Sequence, residues 1–486
     1  MVFSSHLFFF YFLPLVLLVY YALPRRGKHL ALTLLSYVFY GWANPLFVVL
    51  MFVQTVIDYV AGLFVSGQLS RAAWSKPVQP LPKGAARTRA QKLAMASSIC
   101  SNLALLGFFK YFNFASGNYD AVIDWLGLPG LSLDIAFKVT LPLGISFYTF
   151  QSMSYAIDVY RGDAKAIRHF IDYACYVAMF PQLVAGPIIR FQEVADQLEK
   201  RSYTLEKFAR GAAFISLGLA KKILLANTCG KIADVAFDAG SVGFFDSWFG
   251  VIAYAFQIYF DFSAYSDIAI GLGLIIGFVF AKNFDSPYLS QSITEFWRRW
   301  HISLSTWLRD YLYIPLGGNR KGGARTYINL ALVMLLGGLW HGAAWNFMIW
   351  GGIHGGMLAF ERTQGKQSVY RALPRPFKIA LTFVIVLFAW VFFRSADLPS
   401  ALRYCGSMIG LGHAQAGSAL LGGIFFKPYY LASFMLAAVI VWSFPQTWDW
   451  TRKITWAKAV CIVAIFWVSL VVLTTQSYNP FIYFIF

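Results

Sequence analysis

The sequence is dominated by apolar stretches that approach the ~20 residues a helix needs to cross a lipid bilayer. One of them runs from Ile328 to Trp340, and Asn329 is its only strongly polar residue. Only 13% of the 486 residues are charged, whereas a soluble domain carries roughly 25%. The alternating pattern of a membrane β-barrel is missing, and helices satisfy their own backbone polar groups. The sequence therefore predicts an all-α polytopic membrane protein.

Breaks between the apolar stretches set the expected number of membrane segments. Asn44-Pro45 divides one long stretch into a pair of helices, and Pro181 with Pro187 indicates a bent or re-entrant element. We expect about ten to thirteen membrane segments, some of which do not cross fully. They form a single integral membrane domain over residues 1–486. An internal repeat of the kind found in many transporters is not visible.

Basic residues are concentrated between the apolar stretches. The net charge is +18, and loop 66–92 alone contains six Lys or Arg residues and no acidic residue. Positively charged loops stay on the cytoplasmic side of a membrane, so this loop and the basic segment 24–29 are expected there. Membrane lipid, not nucleic acid, is the expected partner. The basic inner surface is also expected to attract anionic lipid head groups or the phosphates of coenzyme A.

His341 is the most informative polar residue, because it directly follows the apolar run that ends at Trp340. An ionisable group within the membrane is a functional candidate by default. An imidazole with an unperturbed pKa of about 6.5 is suited to general-base work or brief acyl carriage, which points to acyl transfer between a thioester and a hydroxyl. His354 would point well away from His341 on one continuous helix, so we interpret it as a packed, hydrogen-bonded residue.

A second histidine, His301, lies in a segment rich in Trp and Arg. Apolar residues recur through 294–311 at the spacing of one helix face, which predicts a single amphipathic helix at the membrane interface. Surface anchoring is the favoured interpretation for Trp300, Trp307 and the arginines, including Arg298. His301 is expected at the edge of the apolar face, beside Trp297 and Leu308, where a structural and a functional role are equally compatible with the pattern.

Two acidic residues, Asp261 and Asp267, occur in an otherwise apolar stretch. Gln257, Asp261 and Tyr265 recur every four residues and therefore share a helix face. Acids at this depth must be paired, hydrated or facing a cavity. A hydrogen-bond network between helices is the favoured interpretation for at least one of them, and we expect both, with Ser263 and Tyr265, to help shape a polar tunnel.

Several classes of enzyme are excluded by missing motifs. The sequence contains no Walker phosphate loop, no GxSxG elbow and no HExxH motif. The spacing of its Cys and His residues fits no zinc site, so we expect neither a metal nor a bound cofactor. The remaining alternative from another class is a transporter of a polar precursor that uses its histidines as proton relays.

Longer blocks of the sequence resemble the membrane-bound O-acyltransferase family, and most closely the bacterial branch that acetylates alginate. The blocks are LPLGISFY at 141–148, IDVYRGD at 157–163, YFDFS at 259–263, the run 291–313 and LLGGLWHG at 335–342. The resemblance places the family's signature histidine at His341 and a second histidine at His301. It implies a helical bundle around a central tunnel, with the catalytic core at about 137–361.

The same resemblance implies a function in the bacterial inner membrane. Acetyl-CoA is the expected donor, and the tunnel-lining or donor-binding residues are expected among the following: Asp261, Ser263, Tyr265, Asp267, Trp297, Arg298, Trp300 and Trp340. Periplasmic esterase-like acetyltransferases and exopolysaccharide machinery are the implied partners. Ala264 stands where the alginate branch is expected to have glycine, so other acceptors remain open: peptidoglycan, cellulose or a D-alanyl acceptor.

Overall fold

Helices make up all the regular secondary structure in the described part of the chain, which comprises residues 1–70, 74–133, 135, 137–365, 372–412 and 421–480 of a computed structural model. The chain packs as two units. The first contains residues 1–204 and 276–280, and the second contains residues 205–275 and 281–486. The proposed single membrane domain over residues 1–486 stays a prediction, as does its catalytic core.

The first unit is built from the following helices: a π-helical turn at Phe8–Phe12, then α1 (Leu13–Ala22), α2 (Arg25–Gly41), α3 (Leu46–Val65), α4 (Arg89–Trp125), α5 (Ile145–Arg161), α6 (Phe170–Ala178), α7 (Phe180–Leu183) and α8 (Phe191–Glu199). The break predicted at Asn44-Pro45 separates α2 from α3. Asp58 of α3 accepts hydrogen bonds from Ser98 and Asn102 of α4, at 2.6 and 2.8 Å. Such bonds tie helices together where water is scarce.

Three expectations from the sequence concern the first unit: two are corrected by the structure, and one lies partly outside the described residues. The basic segment 24–29 is mostly the first turn of α2 and not a loop. The polar residues from position 113 onward predict an external loop, but α4 continues to Trp125, because this stretch has no proline to interrupt the backbone hydrogen bonds of the helix. Residues 71–73 of the basic loop, Arg71 among them, lie outside the described residues.

The second unit contains the following helices: α9 (Leu205–Ala220), α10 (Asn227–Asp238), α11 (Phe244–Ile275), α12 (Ile293–Arg299), α13 (Ile302–Leu308), α14 (Gly323–His341), α15 (Trp345–Gln364), α16 (Arg375–Arg394), α17 (Leu398–Met408), α18 (Gly422–Phe425), α19 (Pro428–Ser443), α20 (Thr447–Trp450) and α21 (Trp456–Thr475). A π-helical turn, Lys221–Ala226, joins α9 to α10, and another, Arg309–Tyr313, follows α13.

Helix α11 is the central helix of the second unit. The apolar stretches 248–262 and 264–280 predict two membrane segments, but a single continuous helix covers them as far as Ile275. Every residue from Tyr254 to Ile275 is buried. Glycines allow α9 to approach closely: a Cβ at Gly218 would lie 2.8 Å from the backbone oxygen of Ala264, and one at Gly271 would lie 2.6 Å from that of Gly211. Small residues at such crossings let helix backbones pack closely in membranes.

Six helical stretches in the described residues are long and apolar enough to cross a membrane. They are Leu46–Val65, Arg89–Trp125, Leu205–Asp238, Phe244–Ile275, Arg375–Arg394 and Trp456–Thr475. Two shorter apolar helices, Phe8–Ala22 and Pro428–Ser443, accompany them. The protein is therefore a multipass membrane protein.

Helices α14 and α15 form a tight hairpin that presents His341 at its turn. Gly342 and Ala344 are extended, so α14 ends at His341 and α15 begins at Trp345. A Cβ on Gly351 would overlap the backbone oxygen of Met334 in α14. Because a backbone atom cannot rotate away, this position requires glycine.

We expect Gly351→Ala to destabilise the protein by about 1–3 kcal/mol, the usual cost of overpacking. Gly352→Ala is the matched control, because the nearest atom to its added Cβ is Leu335 Cδ2 at 3.9 Å. The measurement is the apparent Tm of the purified protein in detergent. Equal Tm values for the two variants would contradict the close approach of the hairpin.

Candidate active site

His301 occupies a sharp turn and not the middle of a helix. The single amphipathic helix expected over 294–311 is wrong, because α12 ends at Arg299 and α13 begins at Ile302. Between them His301 has a φ of +42°, which is uncommon for a residue other than glycine. Backbone hydrogen bonds hold the turn: Asp285 N–H donates to Arg299 O, and Ile302 N–H donates to Asn283 O, each at 2.9 Å.

The imidazole of His301 is fully buried and oriented by Asn283. Its Nδ1 lies 3.3 Å from Asn283 Oδ1, which also accepts from the Ser303 hydroxyl at 2.9 Å. The Asn283 amide donates to Ser266 Oγ at 2.9 Å. Since Oδ1 is an acceptor, the ring proton belongs on Nδ1. Nε2 is then left with a free lone pair, and it has no hydrogen-bond partner in the described part of the chain.

Burial determines the charge of this group. Desolvation disfavours the imidazolium form and lowers the pKa of His301 to about 3. The side chain is therefore neutral throughout the physiological range. A neutral imidazole with an unoccupied Nε2 is able to accept a proton.

His341 lies beside His301 in an aromatic enclosure. The centroids of the two imidazole rings are 6.5 Å apart. His341 also contacts the rings of Trp340 at 5.0 Å, Trp350 at 5.1 Å and Phe393 at 5.2 Å. We call these five residues the histidine cluster. The structure thus brings together the two histidines that the sequence singled out, although they lie on different helical segments.

The tryptophans near His301 face the protein interior and not the membrane surface. Trp300 and Trp307 are only 2% and 4% exposed, so their predicted role as surface anchors is wrong. Trp300 packs on Trp390 with ring centroids 5.0 Å apart, and Trp297 packs on Trp350 at 5.7 Å. Arg298 is exposed. An amphipathic pattern shows which face is apolar, but it does not show whether lipid or protein covers that face.

The two acids of α11 are both engaged in ion pairs. Lys222 Nζ lies 2.6 Å from Asp261, and Lys221 Nζ lies 2.7 Å from Asp267. Both lysines start the π-helical turn between α9 and α10. Asp267 also accepts a hydrogen bond from the Thr447 hydroxyl at 2.7 Å. The geometry favours the structural interpretation for both acids, since each carboxylate neutralises a neighbouring cation.

A small polar pocket lies between Asp267 and Asn283, the residue that orients His301. Its volume is about 10 Å³, enough for about one water molecule. Ser263, Ser266, Asp267 and Asn283 contribute to its lining, and Asn283 contacts His301. Tyr265 is buried in the same helix. Of the expected tunnel residues, Ser263 and Asp267 therefore reach the polar surroundings of His301.

His354 is buried, but it does not make the hydrogen bonds with the described residues that the sequence led us to expect. Neither ring nitrogen has a hydrogen-bond partner in the described residues. The ring instead packs on Trp350 at 4.9 Å and on Phe296 at 5.9 Å. The hairpin between α14 and α15 also replaces the continuous helix assumed for it. His354 consequently lies one aromatic ring away from His341, across Trp350.

Three site residues escaped the sequence analysis. Asn283 orients His301, and Trp350 and Phe393 enclose His341. Asn283 follows Lys282 in a segment without periodicity, so no local signal marks it. Trp350 and Phe393 belong to apolar runs in which aromatic residues are common. The sequence does contain a signal for the pairing of Lys221 and Lys222 with the two acids. Two cations and two acids interrupt separate apolar stretches, and charges in such stretches require partners.

The Lys222–Asp261 pair provides a test of the structural interpretation. Lys222→Met leaves a buried carboxylate without its partner, which costs about 3–5 kcal/mol. The double variant Lys222→Met/Asp261→Leu removes both charges, so we expect it to regain most of the lost stability. The measurement is the apparent Tm in detergent. A double variant as unstable as the single one would contradict the pairing.

His301 gives the protein a predictable pH dependence. Its pKa of about 3, against 6.5 when exposed, means that the unfolded state binds the extra proton between these values. Stability is therefore lost as pH falls below 6.5, by up to about 1.4 kcal/mol per pH unit. His301→Asn, which tolerates a positive φ, is expected to lose less Tm between pH 7.5 and pH 5.5 than the wild type. Parallel pH profiles would contradict a buried neutral imidazole.

Comparison with known proteins agrees with this geometry. The model of the MBOAT, membrane-bound O-acyltransferase family matches residues 163–398, a range that includes both histidines. The probable alginate O-acetylase AlgI of Pseudomonas putida is 43% identical over 100% of both chains. The peptidoglycan O-acetyltransferase of Helicobacter pylori is 36% identical over 85% of this chain and 80% of its own.

A more distant relative is named for the transfer of a different acyl group. The teichoic acid D-alanyltransferase of Streptococcus thermophilus is 32% identical over 44% of this chain and 55% of its own. The family resemblance predicted from the sequence blocks is confirmed by the full-length similarity. The chain belongs to the membrane-bound O-acyltransferase family and is an O-acyltransferase.

Proposed function

We propose that this protein is an O-acetyltransferase that passes acetyl groups from cytoplasmic acetyl-CoA across the inner membrane for O-acetylation of an exopolysaccharide such as alginate. The observation that carries the proposal is the 43% identity, over 100% of both chains, to a probable alginate O-acetylase. The histidine cluster supplies chemistry that fits it, because two imidazoles with ring centroids 6.5 Å apart in an aromatic enclosure are suited to proton transfer.

The reaction joins a thioester and a hydroxyl. The hydroxyl oxygen attacks the thioester carbonyl, its proton passes to an imidazole, the C–S bond breaks and the proton moves to the departing thiolate. In this direct route His341 serves as the general base. In the alternative route it is the transient acyl acceptor: its ring nitrogen displaces the thiolate to form an acyl-imidazole, the hydroxyl then attacks the acyl carbonyl, and the imidazole leaves while the hydroxyl proton passes to the thiolate. His301 assists by activating the incoming group or by holding the donor thioester. The surrounding Trp340, Trp350 and Phe393 rings keep water away from the thioester, which protects it from hydrolysis.

The membrane arrangement that we propose has more segments than the six candidate spans. We propose ten to thirteen segments around a central tunnel in the bacterial inner membrane. The additional segments would come from apolar helices below the length or hydropathy of the six, including Phe8–Ala22 and Pro428–Ser443. The basic loop 66–92 supports a cytoplasmic position for that side of the protein.

The proposed partners follow from the position of the acceptor. A polymer outside the inner membrane requires a protein that receives the acetyl group there, so we propose periplasmic esterase-like acetyltransferases and exopolysaccharide machinery as partners. Peptidoglycan is the second candidate acceptor, supported by the 36% identity to a peptidoglycan O-acetyltransferase. The D-alanyl and cellulose alternatives have weaker support, since the D-alanyltransferase relative covers only 44% of this chain.

A transporter of a polar precursor is disfavoured by membership in an acyltransferase family. Loss of a relay histidine would stop transport and would therefore lower polymer acetylation as well, so the two functions are distinguished with the purified protein. Only an acyltransferase releases coenzyme A from acetyl-CoA in the presence of an acceptor hydroxyl.

The test replaces the chromosomal gene by a His341→Ala allele and measures ester-linked acetate on the isolated exopolysaccharide. We expect the acetylation rate to fall by about 10²-fold or more, the usual contribution of a general base. The matched control is His6→Ala, because His6 is exposed and lies in the first unit. Immunoblots of membranes must show equal amounts of the two proteins.

Full acetylation in the His341→Ala strain would overturn the catalytic assignment. Loss of acetate from peptidoglycan, with an unchanged exopolysaccharide, would overturn the proposed acceptor while leaving the chemistry intact. Mass analysis of both polymers with and without the gene therefore separates the two parts of the proposal.

A further inference from the structure

The first unit contains a large cleft that the acyl-transfer chemistry does not use. Its volume is about 850 Å³, within the range of small-molecule binding sites. The lining residues come from the start of α2, the start of α6 and the segment after α8. We call it the basic cleft, because its lining includes Arg25, Arg26, Lys28 and Arg201.

Positive charge in the basic cleft is incompletely balanced. The acidic lining residues are Asp172 and Glu199, so the four cations outnumber the acids by two. Arg26 and Lys28 make no ion pair with any described residue. Arg25, Arg26 and Lys28 also crowd the first turn of α2, where the helix dipole is already positive. An anion in the cleft would relieve this repulsion.

Lys28 is held in place without being neutralised. Its ammonium lies 4.8 Å from the ring centroid of Tyr20, 5.4 Å from that of Tyr21 and 4.5 Å from that of Tyr203. Aromatic rings attract a cation through their electron-rich faces, but they carry no net charge. The full charge of Lys28 is therefore preserved at the cleft.

Arg201 keeps its charge in a similar way. It donates to His29 Nε2 at 2.7 Å and to the Tyr20 hydroxyl at 3.2 Å, and it lies 4.2 Å from the ring centroid of Phe278. These contacts are all with neutral groups. Because His29 Nε2 accepts from Arg201, the ring proton is on Nδ1, which lies 2.5 Å from Asp172. Asp172 is thereby occupied by His29 and does not cancel the charge of Arg201.

We propose that the basic cleft binds a phosphate-bearing ligand through Arg26, Lys28 and Arg201. A phosphate group carries one negative charge as a diester and about two as a monoester, so the two excess cations can balance either form, and its oxygens suit the planar fork of an arginine. Two sources supply this chemistry: the phosphates of a nucleotide such as coenzyme A, and the head group of an anionic phospholipid. Binding of a nucleotide rests on the proposed function, in which acetyl-CoA is the donor. Binding of a phospholipid is independent of that proposal.

The test measures binding to the purified full-length protein without any acetyl transfer. One arm titrates adenosine 3′,5′-bisphosphate into the protein in a nonionic detergent. The other arm titrates short-chain phosphatidylglycerol into the protein in the same detergent, with short-chain phosphatidylcholine as the reference lipid. We expect Arg26→Gln/Lys28→Gln to weaken binding at least tenfold in one arm, and the arm affected identifies the source.

The matched control is Arg89→Gln/Lys92→Gln, which removes two exposed charges from the first turn of α4 in the same unit. We expect it to bind like the wild type. The single variant Arg26→Gln, at an exposed position, keeps the test usable if the double variant is unstable, and a loss of at least threefold is expected.

Equal loss in the cleft variant and the control variant would overturn the proposal, because it would show only a general effect of net charge. The absence of binding in both arms of the wild type would also overturn it. His341→Ala separates this result from the proposed function. Because neither probe contains a thioester and His341 does not line the cleft, this variant is expected to bind each probe as the wild type does, so a failure of the acetylation proposal leaves the cleft measurement intact.

Discussion

The ion pairs between the π-helical turn and α11 are the constraint on which the candidate site depends. Lys221 and Lys222 pair with Asp267 and Asp261, and four charges in an apolar protein are tolerable only in such pairs. The pairs fix both the position and the rotation of α11. That helix in turn carries Phe262, whose ring lies 4.5 Å from His301, and Ser266, which binds Asn283. The ion pairs thus help to position the residues that contact and orient His301.

The histidine cluster combines rigid geometry with an apolar enclosure, and each property has a separate cause. The geometry comes from the backbone bonds that hold the turn at His301 and from the hairpin that ends at His341. The enclosure comes from Trp340, Trp350 and Phe393. His301 has its own apolar neighbours, the rings of Phe262 at 4.5 Å and Trp340 at 6.2 Å. Its burial keeps the imidazole neutral, so Nε2 remains a proton acceptor. A charged pair of imidazoles at this separation would repel each other in so apolar a setting.

The sequence predicts the parts of this structure that depend on local signals. The helix break at Asn44-Pro45 follows from the chemistry of proline, and both histidines follow from long family-like blocks. The turn at His301 could not be predicted, because the pattern over 294–311 fits one helix and only tertiary bonds from Asn283 and Asp285 break it. The role of Trp300 was predicted wrongly for a related reason, because its ring packs on Trp390 and not on lipid. Lys221 and Lys222 could be recognised in the sequence as cations that need partners, but which acid each of them meets depends on the π-helical turn that presents them to α11.

The histidine cluster of this protein is suited to the acyl-transfer step and not to recognition of a particular polymer. Proteins similar to this chain are named for alginate, peptidoglycan and teichoic acid, so acceptors of very different structure occur among its relatives. The polar atoms of the cluster are the imidazole nitrogens and the indole N–H groups of Trp340 and Trp350. Discrimination between sugar polymers requires a larger set of matched hydrogen-bond donors and acceptors. We therefore expect selection of the acceptor in this protein to depend on surfaces outside the cluster.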